Sequence, residues 1–282
     1  MDAHTGAIVV GYDGSADSDL ALAWGDDEAA HHDRSLHVII SEVDRTQALE
    51  VTADWHAARM AELETDVKQL LSEARSRQTS IEVARAPAAP ALIEASGYAA
   101  LVVLGARGHS LLSGALLGSV SQHVTRHAAC PVVVTRQPYN PQTRRVVVGV
   151  DGSAESRKAL AFAIDHADRI QGPLTVVHGW GSLRNVRSRG LVAVPHDVAE
   201  ETAAAERLLS EAVAGLTEQH PDVAVSLEAI PVPPGRLLAD ASQDASLVVV
   251  GSRGRGAFAE LLLGSVSQSV LHHARCPVAV IR

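Results

Sequence analysis

Two stretches of this chain combine residue types that suit phosphate chemistry. Gly105, Gly108 and Gly118-Ser119 follow the apolar run LVVL, and Gly251, Gly254 and Gly264-Ser265 follow LVVV. The spacing G-x2-G-x9-G-S therefore occurs twice. Gly105 and Gly251 stand where the chain leaves a strand, a place where glycine can take φ > 0. Gly108 and Gly254 would let backbone approach a ligand with no Cβ in the way. Gly118-Ser119 and Gly264-Ser265 open helical patterns. Free N–H groups, a serine hydroxyl and the partial positive charge of a helix N-terminus would face an anion there. A side chain at Gly264 would, on this reading, fall where phosphate must lie. Asp13 and Asp151, each in an Asp-Gly-Ser run, add carboxylates able to accept sugar hydroxyls. The same run also suits a turn or a helix cap. Neither stretch is a Walker loop, which needs GK[ST], nor a GxGxxG fingerprint.

These residues need elements to hold them, and the chain supplies the same elements twice. IVVGYDGSADSDLALAWGDDEA near the start matches VVVGVDGSAESRKALAFAIDHA, with Asp151 following Asp13 by 138 positions. Gly251 follows Gly105, and Cys276 follows Cys130, by 146 positions, so the second copy carries eight extra residues. The loop GSLRNVRSRGLVAVPHD is the expected place for them. RQPYNPQTRR, with two prolines and no apolar period, reads as a linker. It separates a first domain, 1–139, from a second, 140–282. In each copy short Val/Ile runs alternate with longer helical patterns. Continuous apolar strands between helices predict an α/β fold: two tandem repeats, each a mainly parallel open sheet covered on both faces. In such sheets a ligand binds beyond the carboxyl ends of the strands, where strand order reverses.

Composition narrows the function. The chain has 282 residues and a net charge of −9 with His neutral. A basic surface is what nucleic acid or an anionic membrane would require, so neither is the expected partner. No apolar run approaches the ~20 residues that span a bilayer. The N-terminus has no basic segment followed by an apolar one, as a signal peptide would. Two cysteines fit a reducing cytoplasm better than a disulfide framework. Cys130 and Cys276 read as small buried residues at strand starts. The paired histidines at 31–32 and 272–273 lie in helical patterns and read as helix-surface or packing residues. No catalytic motif, metal-ligand spacing or second acid beside the glycine loop announces an enzyme.

With these residues in place, the sequence resembles the universal stress protein family in its tandem two-domain form. VGYDGS, VGVDGS and the two G-x2-G-x9-G-[ST] stretches carry the resemblance, which covers nearly the whole chain. The resemblance implies ATP binding in both repeats. In the first, Asp13 and Ser41 would meet the nucleoside, Gly105 and Gly108 would pass along ribose and phosphates, and Gly118, Ser119 and Val120 would hold the phosphate tail. The second repeat offers Asp151, Gly179, Gly251, Gly254, Gly264, Ser265 and Val266. Mg²⁺ can accompany ATP, but no carboxylate cluster marks a dedicated metal site. The implied role is a cytoplasmic, nucleotide-dependent regulator of stress response or growth, with a slow ATPase or nucleotide hydrolase as the alternative. The family also implies a homodimer, and pairing of the terminal strands Val132–Thr135 and Val278–Ile281. Its protein partner is unknown. His109 stands where the second copy has Arg255, so the first site is expected to carry less fixed positive charge.

Overall fold

A computed structural model describes residues 4–41, 53–71, 79–108, 117–136, 142–180, 195–255 and 262–282. His109, residues 137–141 of the linker and residues 181–194 of the 181–197 loop lie outside the described residues. The chain divides into two compact units, Met1–Gln137 and Pro138–Arg282.

The first unit runs β1 (Ile8–Tyr12), α1 (Ala16–His31), β2 (Leu36–Ser41), α2 (Ala53–Leu70), β3 (Thr79–Ala84), α3 (Ala88–Ala95), β4 (Leu101–Gly105), α4 (Ser119–His127) and β5 (Val132–Thr135). Its strands stand in the order β3-β2-β1-β4-β5, and every described pair is parallel. Burial explains the strand sequences. Ile8, Val9 and Val10 of β1 are all buried, as are Val102 and Val103 of β4, because helices cover both faces of the sheet. Helix α1 packs on β1 and β4, and α3 on β1 and β2. The α1 contact is close at Gly25, where an added Cβ would lie 2.5 Å from Val10 Cγ2.

The second unit repeats this plan with β6 (Val146–Gly149), α5 (Ala154–Arg169), β7 (Leu174–Gly179), α6 (Pro195–Val213), α7 (Leu216–Gln219), β8 (Val225–Ile230), α8 (Pro234–Ala241), β9 (Leu247–Gly251), α9 (Ser265–His273) and β10 (Val278–Ile281). Its order is β10-β9-β6-β7-β8, again parallel throughout the described pairs. The eight surplus residues do not sit in one loop. Among the described side chains, Leu63 and Val67 are the buried ones of α2, and Ala205 and Leu209 those of α6, an offset of 142. Four surplus residues thus enter before α6 and four after it, around α7. Pro195, expected to lie in the loop, opens α6. The physical reason is the helical period: slipping α6 by about one turn keeps its buried face on the sheet.

Both cysteines, Cys130 and Cys276, are buried. His31 and His273 bond to Asp27 and Ser269 carbonyls of their own helices, at 2.7 and 2.8 Å. Among the described residues, no helix is long and apolar enough to cross a membrane, and no cluster of three or more His, Cys, Asp or Glu could hold a metal ion.

Candidate functional site

Strand order reverses between β1 and β4 in the first unit, and between β6 and β9 in the second. Asp13 and Asp151 follow the first strand of each pair, and the glycine loops follow the other. The Asp-Gly-Ser runs are turns whose positive φ falls on Gly14 (78°) and Gly152 (80°). Asp13 Oδ1 accepts the Ser15 N–H at 3.1 Å, and Asp151 Oδ1 accepts that of Ser153 at 3.0 Å. The helix caps are the serines: Ser15 and Ser153 accept from the N–H groups of Ser18 and Ser156. The second oxygen of Asp151 reaches across to the glycine loop and accepts the Arg255 N–H at 2.9 Å.

Gly105 and Gly251 are glycine for a reason other than the one expected. Neither Gly105 nor Gly251 has positive φ. A Cβ on Gly105 would stand 2.7 Å from the Asp17 carbonyl carbon, and one on Gly251 3.0 Å from that of Glu155. Glycine is there because the first turn of α1 or α5 comes too close for a side chain. A Cβ on Gly108 or Gly254 would collide with Asp13 Oδ2 or Asp151 Oδ2, so the space is filled by the carboxylate. A Cβ on Gly264 would meet the Ser252 oxygen at 3.4 Å and Arg253 Cα at 3.5 Å. Those atoms belong to the loop backbone and stand at ordinary contact distance.

Gly118 and Gly264 are N-caps with extended backbone and no side-chain cap. The N–H groups of Ser119, Val120 and Ser121, and of Ser265, Val266 and Ser267, therefore have no partner within their helices. Each cap is held in place by its own N–H, bonded at 2.7 Å to Ala106 O or Ser252 O. Ser121 and Ser267 donate their hydroxyls to Gly105 O and Gly251 O, both at 2.6 Å. The helix N-terminus is thereby fixed to the strand end with its amides uncapped, an arrangement suited to an anion.

These groups line one cleft per unit, of about 620 Å³ in the first and about 280 Å³ in the second. Asp13, Ser41, Gly105, Gly108, Gly118, Ser119 and Val120 all line the first. Asp151, Gly179, Gly251, Gly254, Gly264, Ser265 and Val266 all line the second. The clefts also have apolar walls, with Ile39, Leu63 and Leu92 in the first unit and Val177, Leu237 and Leu238 in the second. Ser41 donates to Ala86 O at 2.7 Å, leaving its oxygen able to accept. Tyr12, Arg59 and Met60 in the first cleft, and His178 in the second, are lining residues that the duplicated spacing did not single out. A comparison of the two copies position by position signals one of them, since His178 replaces Ile40.

The loop arginines are not bare phosphate ligands. Arg107 donates both its N–H and its Nε–H to Asp17 Oδ2, at 3.1 and 3.3 Å, and Asp17 is buried. Arg253 pairs with Glu155 Oε1 at 3.3 Å. These pairs tie the loops to α1 and α5. Arg255 differs: its guanidinium lies over Gly152 and makes no ion pair among the described residues. Burial of Tyr12, its hydrogen bond to Asp19 Oδ1 at 2.9 Å and the surrounding carboxylates push its phenol far up, so it is a fixed donor.

Burial works against ionisation of Asp151. Hydrogen bonds from the Ser153 hydroxyl and N–H, the Arg255 N–H and the Ser156 hydroxyl outweigh it and hold the carboxyl below its ordinary 3.8. A depressed folded value adds stability above the ordinary value, and that stability is lost as pH falls through the depressed one. Asp151→Asn should therefore melt below wild type at neutral pH, with the difference shrinking in acid below about pH 4. A difference that stays constant from neutral to acid pH, in calorimetry across the range, would contradict this.

Two doubly wound units in tandem, each with a cleft at its switch point, make this an α/β protein with clefts where such sheets commonly bind ligands. The sequence profile of the universal stress protein family matches residues 5–136 and 142–282. A universal stress protein of Mycobacterium tuberculosis is 38% identical, covering 98% of this chain and 96% of its own. One from Mycolicibacterium smegmatis is 35% identical with the same coverage. The crystal structure of a universal stress protein from Archaeoglobus fulgidus shares the fold, with a TM-score of 0.64 at 24% identity over 98% of this chain and 96% of that one. This chain belongs to the universal stress protein family.

Proposed function

We propose that each unit binds one ATP and that the chain acts as a nucleotide-dependent regulator of stress response or growth. The observation that carries this reading is the cleft built twice. In each unit one cleft is lined by apolar side chains, a carboxylate and a helix N-terminus with three amides uncapped. A purine fits the apolar side chains, ribose hydroxyls fit Asp13 or Asp151, and phosphates fit the amides of α4 or α9. Mg²⁺ would arrive with the triphosphate, since the described residues offer it no cluster of their own.

Calorimetric titration of the full chain with ATP should give a stoichiometry of two. A stoichiometry of zero refutes the reading, and a stoichiometry of one confines it to a single unit. The same samples, assayed for phosphate release with and without Mg²⁺, should show no turnover above background. Steady release would replace the regulator with a slow ATPase. Sedimentation with and without ATP tests the homodimer that belongs to the same proposal.

A further inference from the structure

We infer that His123 and His127 form a two-histidine site for Zn²⁺ or a similar late first-row divalent cation, on the exposed face of α4. The two residues stand four apart, about one helical turn, and so share a face. Both are exposed, and their ring centres lie 4.4 Å apart with 28° between the planes. Of the fourteen histidines in the chain, no other two have this spacing. His127 Nδ1 lies 2.8 Å from the His123 carbonyl oxygen. A carbonyl only accepts, so Nδ1 carries the proton, and Nε2 of the neutral ring keeps its lone pair. Metal-binding imidazoles are commonly supported by such a bond, which fixes the tautomer and holds the ring. Among the described residues, none hydrogen-bonds to the His123 ring.

Imidazole nitrogen suits late first-row cations, whereas Mg²⁺ prefers oxygen. The site is therefore distinct from that of any Mg²⁺ arriving with ATP, and it does not rest on the nucleotide reading. A zinc–nitrogen bond is about 2.0–2.1 Å long. Exposed rings at this separation need only turn about their side-chain bonds to aim one nitrogen each at the same ion. Among the described residues no third His, Cys, Asp or Glu joins the pair, so water fills the remaining positions. His127 is the last residue of α4, where the carbonyl end of a helix favours a cation. Arg126 of the same turn stands about 100° around the helix from His127, and its Nε is buried. The second unit lacks the pair. Ser269 and His273 hold the matching positions of α9, so the backbone bond recurs, from His273 Nδ1 to Ser269 O at 2.8 Å, with a single imidazole. The His272 ring is 6.4 Å from that of His273, and adjacent positions on a helix do not face each other.

The test uses the full chain without nucleotide, at mildly alkaline pH where an imidazole ring is ordinarily neutral, with Zn²⁺ as the probe. In nitrogen-edited NMR of the histidine rings, the Nε2 resonances of His123 and His127 should move together, at lower Zn²⁺ than those of the other histidines. The Nδ1 proton of His127 should stay in place. Mg²⁺ at the same concentrations should move neither ring. One bound ring holds the ion beside the other, so losing either should weaken Zn²⁺ binding there by about tenfold or more. His123→Gln and His127→Gln read this loss, since glutamine is a good helix former, and the metal-free melting temperatures check the fold. His273→Gln should leave the affinity unchanged. Rings of His123 and His127 that respond only along with the other histidines overturn the site, and this wild-type result stands however the variants fold. A single variant that keeps the wild-type affinity overturns it as well, because the two rings then do not act as a pair.

Discussion

Gly105→Ala is expected to destabilise the first unit by about 1–3 kcal/mol, the usual cost of overpacking a filled site. The added Cβ would lie 2.7 Å from the Asp17 carbonyl carbon and 2.9 Å from Asp17 Cβ and O. These atoms cannot retreat cheaply. Asp17 stands in the first turn of α1, which is capped by Ser15. Its carbonyl accepts the Thr135 hydroxyl at 2.9 Å, and its carboxylate holds Arg107. Against a total stability of about 5–15 kcal/mol for an ordinary domain, such a loss is large. The corresponding change in the second unit, Gly251→Ala, meets Glu155 at 3.0 Å and should cost less. Gly264→Ala, with 3.4 Å of room, should cost least. Differential scanning calorimetry of the three variants reads the order. A Gly105→Ala protein that melts like wild type, or an inverted order, would show that the close approach of α1 is not what requires glycine.

That result would also mark the limit of sequence reasoning about this chain. The α/β class was legible because strands buried on both faces must be continuously apolar, and VVV runs between helical periods have few other uses. The candidate residues of the glycine stretches were legible because the same spacing occurs twice, whereas Ser41 and Gly179 rest on the family resemblance; all of these candidates line the two clefts. The reasons for individual residues were not. Gly105 was read through its own backbone freedom, yet it answers to Asp17, a neighbour 88 positions earlier in the chain. Arg107 likewise finds its partner in Asp17, far away in the chain. Asp151 was weighed as sugar contact against turn or cap. It closes the turn, leaves the cap to Ser153, and also grips the glycine loop at Arg255. Such contacts join segments far apart in sequence, and spacing within one motif carries no trace of them. The surplus in the second unit was misplaced for a related reason: the buried faces of α2 and α6 set their alignment, and the loop lengths adjust around them.

Ser265→Pro is expected to weaken ATP binding in the second unit while leaving the protein as stable as wild type. Ser265 is the first residue of α9, and Gly264 before it has φ −72° and ψ 157°. Proline is well tolerated at that first helical position, and the residue preceding a proline prefers this extended backbone. The bonds that fix the cap survive: Gly264 N–H still reaches Ser252 O at 2.7 Å, and Gln268 N–H still reaches Gly264 O at 3.0 Å. What disappears is one uncapped N–H and one hydroxyl, both on the cleft wall. If a phosphate sits there, each lost charge-assisted hydrogen bond costs about 1.5–3 kcal/mol, or roughly tenfold to over a hundredfold in affinity. Ser119→Pro is the matching change in the first unit, where Gly118 has φ −71° and ψ 156°. Each single variant should retain one ATP in calorimetric titration, and the double variant none, with the melting temperatures of the nucleotide-free proteins unchanged. Undiminished ATP affinity in the double variant would remove the helix N-termini from the phosphate site. Loss of affinity accompanied by a lower melting temperature would instead assign these serines to the fold.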